Sequence, residues 1–135
     1  MVYMDDETLI ETAREALADA RAPYSEYPVG AAIETTTGDV FRGFNIEIVN
    51  YSNSLHAEEV ALTGAIREGH TQFEKIAVVS DEGDGLTPCG MCRQTLAEFC
   101  EDSFTILTEV DGDIRRYTLG ELLPAAMKPA TLDDR

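Results

Sequence analysis

Ile76-Ala77-Val78-Val79, then Pro88-Cys89-Gly90-Met91-Cys92 running on to Leu96 and Phe99, then Phe104 to Thr108: this stretch decides the fold. The first run is apolar without alternation, the pattern of a strand covered on both faces. Pro88 precedes a helix that carries Cys92, Leu96 and Phe99. Phe104 to Thr108 returns to strand composition. Downstream, Ile114 to Tyr117 reads as another strand beyond Asp111-Gly112-Asp113, and Thr118 with Glu121 forms a capping box for a short last helix. Pro129 to Arg135 reads as a frayed tail. Upstream, a helix starts near His56 and runs to Arg67, where Gly69 ends it. Val29 to Thr35 and Val40 to Asn45 read as paired strands turning at Gly38-Asp39. Asp5 to about Ala20 is an amphipathic helix with Leu9, Ile10, Ala13, Ala16, Leu17 and Ala20 at helical spacing, broken by Ala22-Pro23-Tyr24-Ser25. Helices interleaved with strands predict one α/β domain over residues 1–128. It is a three-layer arrangement with a mixed central sheet of about five strands flanked by helices, followed by a tail at 129–135.

The bulk composition agrees with one compact domain: 135 residues, 44% of them hydrophobic, are enough to close a core. No apolar run approaches a membrane span, and Asp5, Asp6 and Glu7 stand where an export signal would carry positive charge, so the expected location is cytoplasmic. Charge is the unusual quantity, with 26 acidic against 10 basic residues and a net charge of −16. Such a surface repels phosphate backbones, which argues against a nucleic-acid partner. Lys75 and Lys128 are the only lysines. The acidity fits either a high-salt habitat or simply an acidic soluble protein, and stability measured against KCl separates the two. Three cysteines without an export signal argue for metal binding or inert thiols over a disulfide framework.

Two clusters carry the chemistry: His56-Ala57-Glu58, and Pro88-Cys89-Gly90-Met91-Cys92. Imidazole and thiolate suit zinc, and three protein ligands leave the fourth position for water. Cys89 and Cys92, three apart at a helix start, present both sulfurs the same way. The positive end of the helix dipole there favours ionised thiolates. Zinc lowers the pKa of bound water to about 7. Glu58 lies roughly 200° round the helix from His56, badly placed as a ligand but able to exchange protons with water and substrate. A lone Cys-x-x-Cys also occurs in structural zinc knuckles. Cys100 would close such a site, but it lies about 12 Å beyond Cys92 along a continuous helix, which makes it a core thiol.

His-x-Glu followed by Pro-Cys-x-x-Cys is the signature of zinc deaminases. Over roughly residues 7 to 127 the chain resembles the small, homotetrameric-type cytidine deaminases. The resemblance is carried by Pro23-Tyr24-Ser25-Glu26-Tyr27-Pro28-Val29-Gly30-Ala31-Ala32, Asn45-Ile46-Glu47, Pro88 to Gln94, and Glu121-Leu122-Leu123-Pro124. It implies a cytidine deaminase-like fold, Zn²⁺ on His56, Cys89 and Cys92, and Glu58 as the proton shuttle that protonates ring N3. It also implies Asn45 and Glu47 on the ribose and Tyr51 at a subunit contact in a tetramer with shared active sites. The implied activity is hydrolysis of cytidine, and of 2′-deoxycytidine, to uridine and ammonia in pyrimidine salvage. Four positions depart from the pattern. His56 stands where many small members have Cys, and Glu59 where they have Arg. An adjacent arginine offsets the negative charge of a three-thiolate zinc, and a His-and-two-thiolate site is neutral, so it tolerates a carboxylate there. Tyr27 replaces a phenylalanine. Met127 stands where a C-terminal phenylalanine stacks on the base in a neighbouring subunit, a contact that methionine sulfur can also make.

Two rivals remain at this stage. One keeps the chemistry and changes the substrate to a blasticidin-type aminopyrimidine nucleoside, although Asn45-Ile46-Glu47 favours ordinary ribose. The other is a non-catalytic zinc-stabilised binding module, for which Glu58 would be dispensable. A polynucleotide editor is disfavoured by the charge and by the lack of basic or aromatic groove-lining runs.

Overall fold

The computed structural model describes residues 3–132. Its elements are α1 (Asp6–Ala16), β1 (Val29–Thr35), β2 (Val40–Phe44), α2 (Ala57–Arg67), β3 (Phe73–Ser80), α3 (Gly90–Phe99), β4 (Thr105–Val110), β5 (Asp113–Thr118) and α4 (Leu119–Leu122), with short 3₁₀ turns at Leu17–Asp19, Tyr51–Asn53 and Pro129–Leu132. One five-stranded sheet runs in the order β2-β1-β3-β4-β5. Only β3 and β4 are parallel, joined through α3, and every other neighbouring pair is antiparallel. The expected mixed α/β sheet of five strands is the one observed.

Strand alternation sorts the core into two layers. Ala31, Ile33, Ile76, Val78 and Ile106 face Ala61, Leu62 and Ala65 of α2, Leu96 and Ala97 of α3 and Leu119 of α4. Ala32, Ala77, Val79 and Leu107 face the opposite way, onto Leu9, Ile10 and Ala13 of α1. Helices therefore cover both faces, which is why β3 carries no polar alternation. Two glycines permit the close packing. A Cβ on Gly43 would sit 2.0 Å from the Ala57 carbonyl oxygen, and one on Gly30 would sit 2.1 Å from that of Ala13. Gly43 thus lets the first turn of α2, which bears Glu58, lie directly on β2.

The differences from expectation are local. The first helix passes into a 3₁₀ turn at Leu17. β3 begins at Phe73, because Glu74 and Lys75 extend it despite their polarity; Lys75 is buried and its ammonium donates to the Met4 carbonyl (2.6 Å) and Asp6 (3.0 Å). Pro129–Leu132 forms a turn in place of a frayed end, held by the Lys128 amide donating to the Thr131 hydroxyl (2.9 Å); residues 133–135 lie outside the described part.

Candidate metal centre and active site

His56 and Cys89 both occupy the residue immediately before a helix. His56 is the N-cap of α2 with extended backbone (φ −90°, ψ 151°), and Cys89 is the N-cap of α3 (φ −67°, ψ 169°). Cys92 follows in the first turn of α3 and is buried. The two helix starts converge, so that His56 Nδ1 lies 3.2 Å from Cys92 Sγ and 3.3 Å from Cys89 Sγ. All three donor atoms fall within 4.8 Å of one another. A zinc ion at about 2.0 Å from nitrogen and 2.3 Å from sulfur holds those atoms about 3.5 Å apart in tetrahedral geometry, so the set fits the ion with little adjustment. The chemistry of the set agrees. Burial, then the Glu58 and Cys89 charges, push the Cys92 thiol far above its ordinary range. A divalent cation removes that penalty. Cys100 is also buried, its thiol pushed up by desolvation to about 12, and it is not part of the cluster. It is the core thiol the sequence suggested.

Glu59 explains how His56 can cap a helix with its ring turned toward the sulfurs. Its carboxylate accepts the His56 backbone N–H at 3.0 Å, one half of a capping box. The preceding residue, Glu58, is buried, and its carboxyl is raised by desolvation, an effect that a bond to its own backbone amide partly opposes. A carboxyl group displaced in that direction is suited to holding a proton.

A cavity of about 450 Å³ opens in front of this cluster, within the size range of small-molecule sites. His56, Glu58 and Cys89 line it together with Asn45, Glu47 and Tyr51. A short backbone ladder puts Asn45 and Glu47 there. The Arg21 amide donates to the Asn45 carbonyl (2.9 Å) and the Glu47 amide to that of Arg21 (2.8 Å). On the other side, Ile46 exchanges bonds of 3.0 and 2.8 Å with Leu55, the residue before His56. The Asn45 side chain accepts from the Val29 amide and donates to the Tyr27 carbonyl, both at 3.0 Å. The Glu47 carboxylate accepts from the amides of Tyr24 (2.9 Å) and Ser25 (3.0 Å) and from the Ser25 hydroxyl, and these bonds, the hydroxyl's foremost, hold it below the usual carboxylate range.

Tyr27 departs from expectation, and Met127, expected at a neighbouring subunit's substrate, lies outside this chain's own cavity. Tyr27 is not among the cavity-lining residues; its hydroxyl donates to Asp84. Met127 is half exposed, outside the cavity lining, and its carbonyl accepts from the Gln94 side-chain Nε2 (2.9 Å). Tyr51, expected at a subunit contact, lines the cavity and is 71% exposed, with its ring 5.5 Å from that of Tyr24. The sequence reading assigned no site role to Tyr24, Ser25, Leu86 or Thr87, all of which line the cavity. For Tyr24 and Ser25 the available signal was their place in the quoted Pro23–Ala32 stretch; Leu86 and Thr87, just ahead of Pro88, carried none.

The comparisons with known proteins agree with this geometry. The cytidine and deoxycytidylate deaminase zinc-binding region matches residues 4–108. Cytidine deaminases of Sporosarcina psychrophila and Halalkalibacterium halodurans are each 42% identical, over 130 residues (96% of this chain, 96% of the relative) and 132 residues (97% and 100%). A blasticidin-S deaminase of Bacillus cereus is 32% identical over 131 residues (91% and 92%). A crystal structure of cytidine deaminase from Burkholderia pseudomallei superimposes with a TM-score of 0.87 at 38% identity, covering 92% of this chain and all of that one.

Proposed function

The chain belongs to the cytidine and deoxycytidylate deaminase family, and we propose on that footing that it hydrolyses cytidine to uridine and ammonia. The observation that carries this is the meeting of His56 Nδ1 and the Cys89 and Cys92 sulfurs beside buried Glu58, at a cavity of nucleoside-compatible size. His56, Cys89 and Cys92 hold Zn²⁺, which when bound acts as a Lewis acid that makes water acidic enough to react at neutral pH. Glu58 moves the protons. It takes one from the attacking water, delivers it to ring N3 as C4 is attacked, and serves the departing amino group, so that water and cytidine become uridine and ammonia.

Asn45 and Glu47 bind the ribose. The Asn45 amide keeps one hydrogen and one lone pair beyond its two backbone bonds, and Glu47 offers a charged acceptor, which suits a sugar hydroxyl. Deoxycytidine fits the same description. Tyr27 and Met127 belong to the base-binding side of the site only through rearrangement or a neighbouring copy. Exposed Val49 and Tyr51 give the molecule an apolar edge beside the cavity, which supports association into the family's tetramer with Tyr51 at the contact and Met127 reaching a neighbouring site. No helix among the described residues is long and apolar enough to cross a membrane. A cytoplasmic salvage enzyme acting on free nucleosides accords with this and with the net charge of −16, which disfavours polynucleotide substrates; a high-salt habitat is one setting for that charge.

The test is ammonia release from a panel of cytidine, deoxycytidine, cytosine and a blasticidin-type nucleoside. Turnover of cytidine is expected, with Glu58→Gln losing about 10²- to 10⁴-fold while zinc content stays at one ion per chain. Full activity in the Gln variant defeats the proton-shuttle assignment, and preference for the antibiotic corrects the substrate.

A further inference from the structure

The loop between β3 and α3 delivers Cys89, yet its last residues have little regular structure to hold them. Its first half is pinned to the sheet. The Gly85 amide donates to the Glu109 carbonyl (2.9 Å), the Asp111 amide to that of Gly83 (3.0 Å), and Asp84 accepts from the hydroxyls of Ser80 (2.7 Å) and Tyr27. The second half, Leu86 to Cys89, forms one rim of the cavity. Pro88 has no amide hydrogen to give, and Thr87 lies outside any strand or helix.

The guanidinium of Arg93 fills this gap. Its Nε donates to the Pro88 carbonyl at 2.6 Å, one terminal nitrogen donates to the Thr87 hydroxyl at 2.9 Å, and the other to the Leu122 carbonyl at 2.7 Å. The first two acceptors immediately precede Cys89, and the third lies at the end of α4. One planar, permanently charged fork therefore fastens the ligand-bearing loop to the C-terminal helix with three charge-assisted bonds. Arg93 sits one turn into α3, whose first helical bond runs from its own amide to the Cys89 carbonyl (2.9 Å). Cys89 is thus gripped from both sides by one residue.

The geometry points to Arg93 as a positioning residue for the metal centre: it fixes the Thr87–Cys89 rim so that the Cys89 sulfur stands within reach of His56 Nδ1 and Cys92. It touches neither the reacting atoms nor the ligand atoms, and acts through the loop it holds. Cys89 is exposed where Cys92 is buried, so of the two thiols it is the one whose place depends on such a brace. The inference rests on the zinc reading of the site and deepens it, because outer-layer contacts of this kind tune how well a preformed site grips its ion.

The test is zinc affinity of the purified full chain, measured by competition with a chromogenic chelator, beside the melting temperature. Arg93→Ala is expected to weaken zinc binding by about tenfold. The control is Arg14→Ala, which removes the ion pair between α1 and Glu109 on the far side of the sheet. It should lower the melting temperature while leaving zinc affinity within about twofold, so that loss of general stability is separated from loss of positioning. If Arg93→Ala fails to fold, Arg93→Lys decides. It keeps the charge and stem, but its single ammonium cannot serve all three acceptors, and an intermediate weakening is expected. Unchanged zinc affinity in whichever Arg93 variant folds, or an equal loss in Arg14→Ala, overturns the inference. A native chain that binds no zinc sinks the functional reading and this one together, whereas a native chain that binds zinc beside an unaffected Arg93 variant sinks this one alone.

Discussion

The helices of this molecule begin in two different ways. At the starts of α1 and α4 the chain caps itself. The Asp5 carboxylate accepts the Thr8 amide (2.8 Å), while the Thr118 hydroxyl accepts that of Glu121 (3.2 Å) and Glu121 returns the bond to the Thr118 amide (2.9 Å). At the starts of α2 and α3 the cap positions hold His56 and Cys89, and α3 has no side-chain cap at all among the described residues. Free amides at a helix start cost stability when nothing accepts from them. The same amides and the aligned dipole favour negative charge, as the two thiolates of the proposed zinc site would supply. The helix starts that only build the fold are closed by their own caps, whereas α3, which carries two of the proposed zinc ligands, begins without one, and α2 is closed by a capping box through Glu59. His56 shows a compromise, because its ring serves the site while Glu59 satisfies its backbone.

The largest effect that can test this contrast comes from Cys89→Ser. A hydroxyl is a far better cap than a thiol and a far poorer zinc ligand. Zinc affinity is expected to fall well beyond the 10- to 100-fold typical of outer-layer changes, and turnover with it. The metal-free variant should meanwhile gain stability over the metal-free native chain, by about 0.5–1 kcal/mol if the serine caps α3. Chelator competition and denaturant titration of the two metal-free proteins read both quantities. A metal-free variant no more stable than the parent breaks the idea that this helix start was left uncapped at a cost.

What the sequence made legible follows the same division. The grouping of His56, Cys89 and Cys92 beside Glu58 could be anticipated because the candidate ligands stand in short motifs whose spacing within one helix turn is set locally. β1 was read to the residue, from Val29 to Thr35, because its composition and the Gly38-Asp39 turn are also local signals. The start of β3 was missed, since the polarity of Lys75 is matched by Met4, Asp6 and Glu34, all far earlier in the chain. The Arg93 brace was hidden for the same reason: its third acceptor, Leu122, lies far along the chain. Tyr24 and Ser25 looked like a helix breaker, and only the folded ladder through Arg21, Ile46 and Leu55 brings them onto Glu47. Partners distant in sequence leave no periodicity to read.

A smaller effect sharpens the contrast at α2. Glu59→Ala removes the acceptor for the His56 amide and is expected to cost about 1 kcal/mol, with Glu59→Gln restoring most of it because an amide oxygen accepts the same bond. Asp5→Ala on α1 should cost a similar amount by the same mechanism. The two differ in consequence: Asp5→Ala leaves turnover untouched, since α1 packs on the opposite face from the cavity. Thermal unfolding and initial rates on the three variants check this. A Gln variant as unstable as the Ala variant would show that the charge of Glu59, and not its bond to His56, is what matters.

The smallest effect concerns the clamp on Glu47. Its carboxylate is depressed by the Ser25 hydroxyl and amide and by the Tyr24 amide, so the ionised form is the one the fold favours. A carboxyl group whose folded value lies below its free value of about 4.3 contributes stability that is complete above that value and is lost as pH falls through the lower folded one. The contribution is minor, because the group is close to solvent and each bond is screened. It is nonetheless readable at the residue itself: the Glu47 side-chain carbon, followed by NMR, should titrate below about 4.3 in the native chain. Ser25→Ala, which removes the hydroxyl and leaves both amides, should bring that midpoint part of the way back. An unmoved midpoint would mean that the hydroxyl does not hold Glu47, and that the Tyr24–Ser25 turn, unlike the capped and braced helix starts, plays no part in presenting the carboxylate to a substrate.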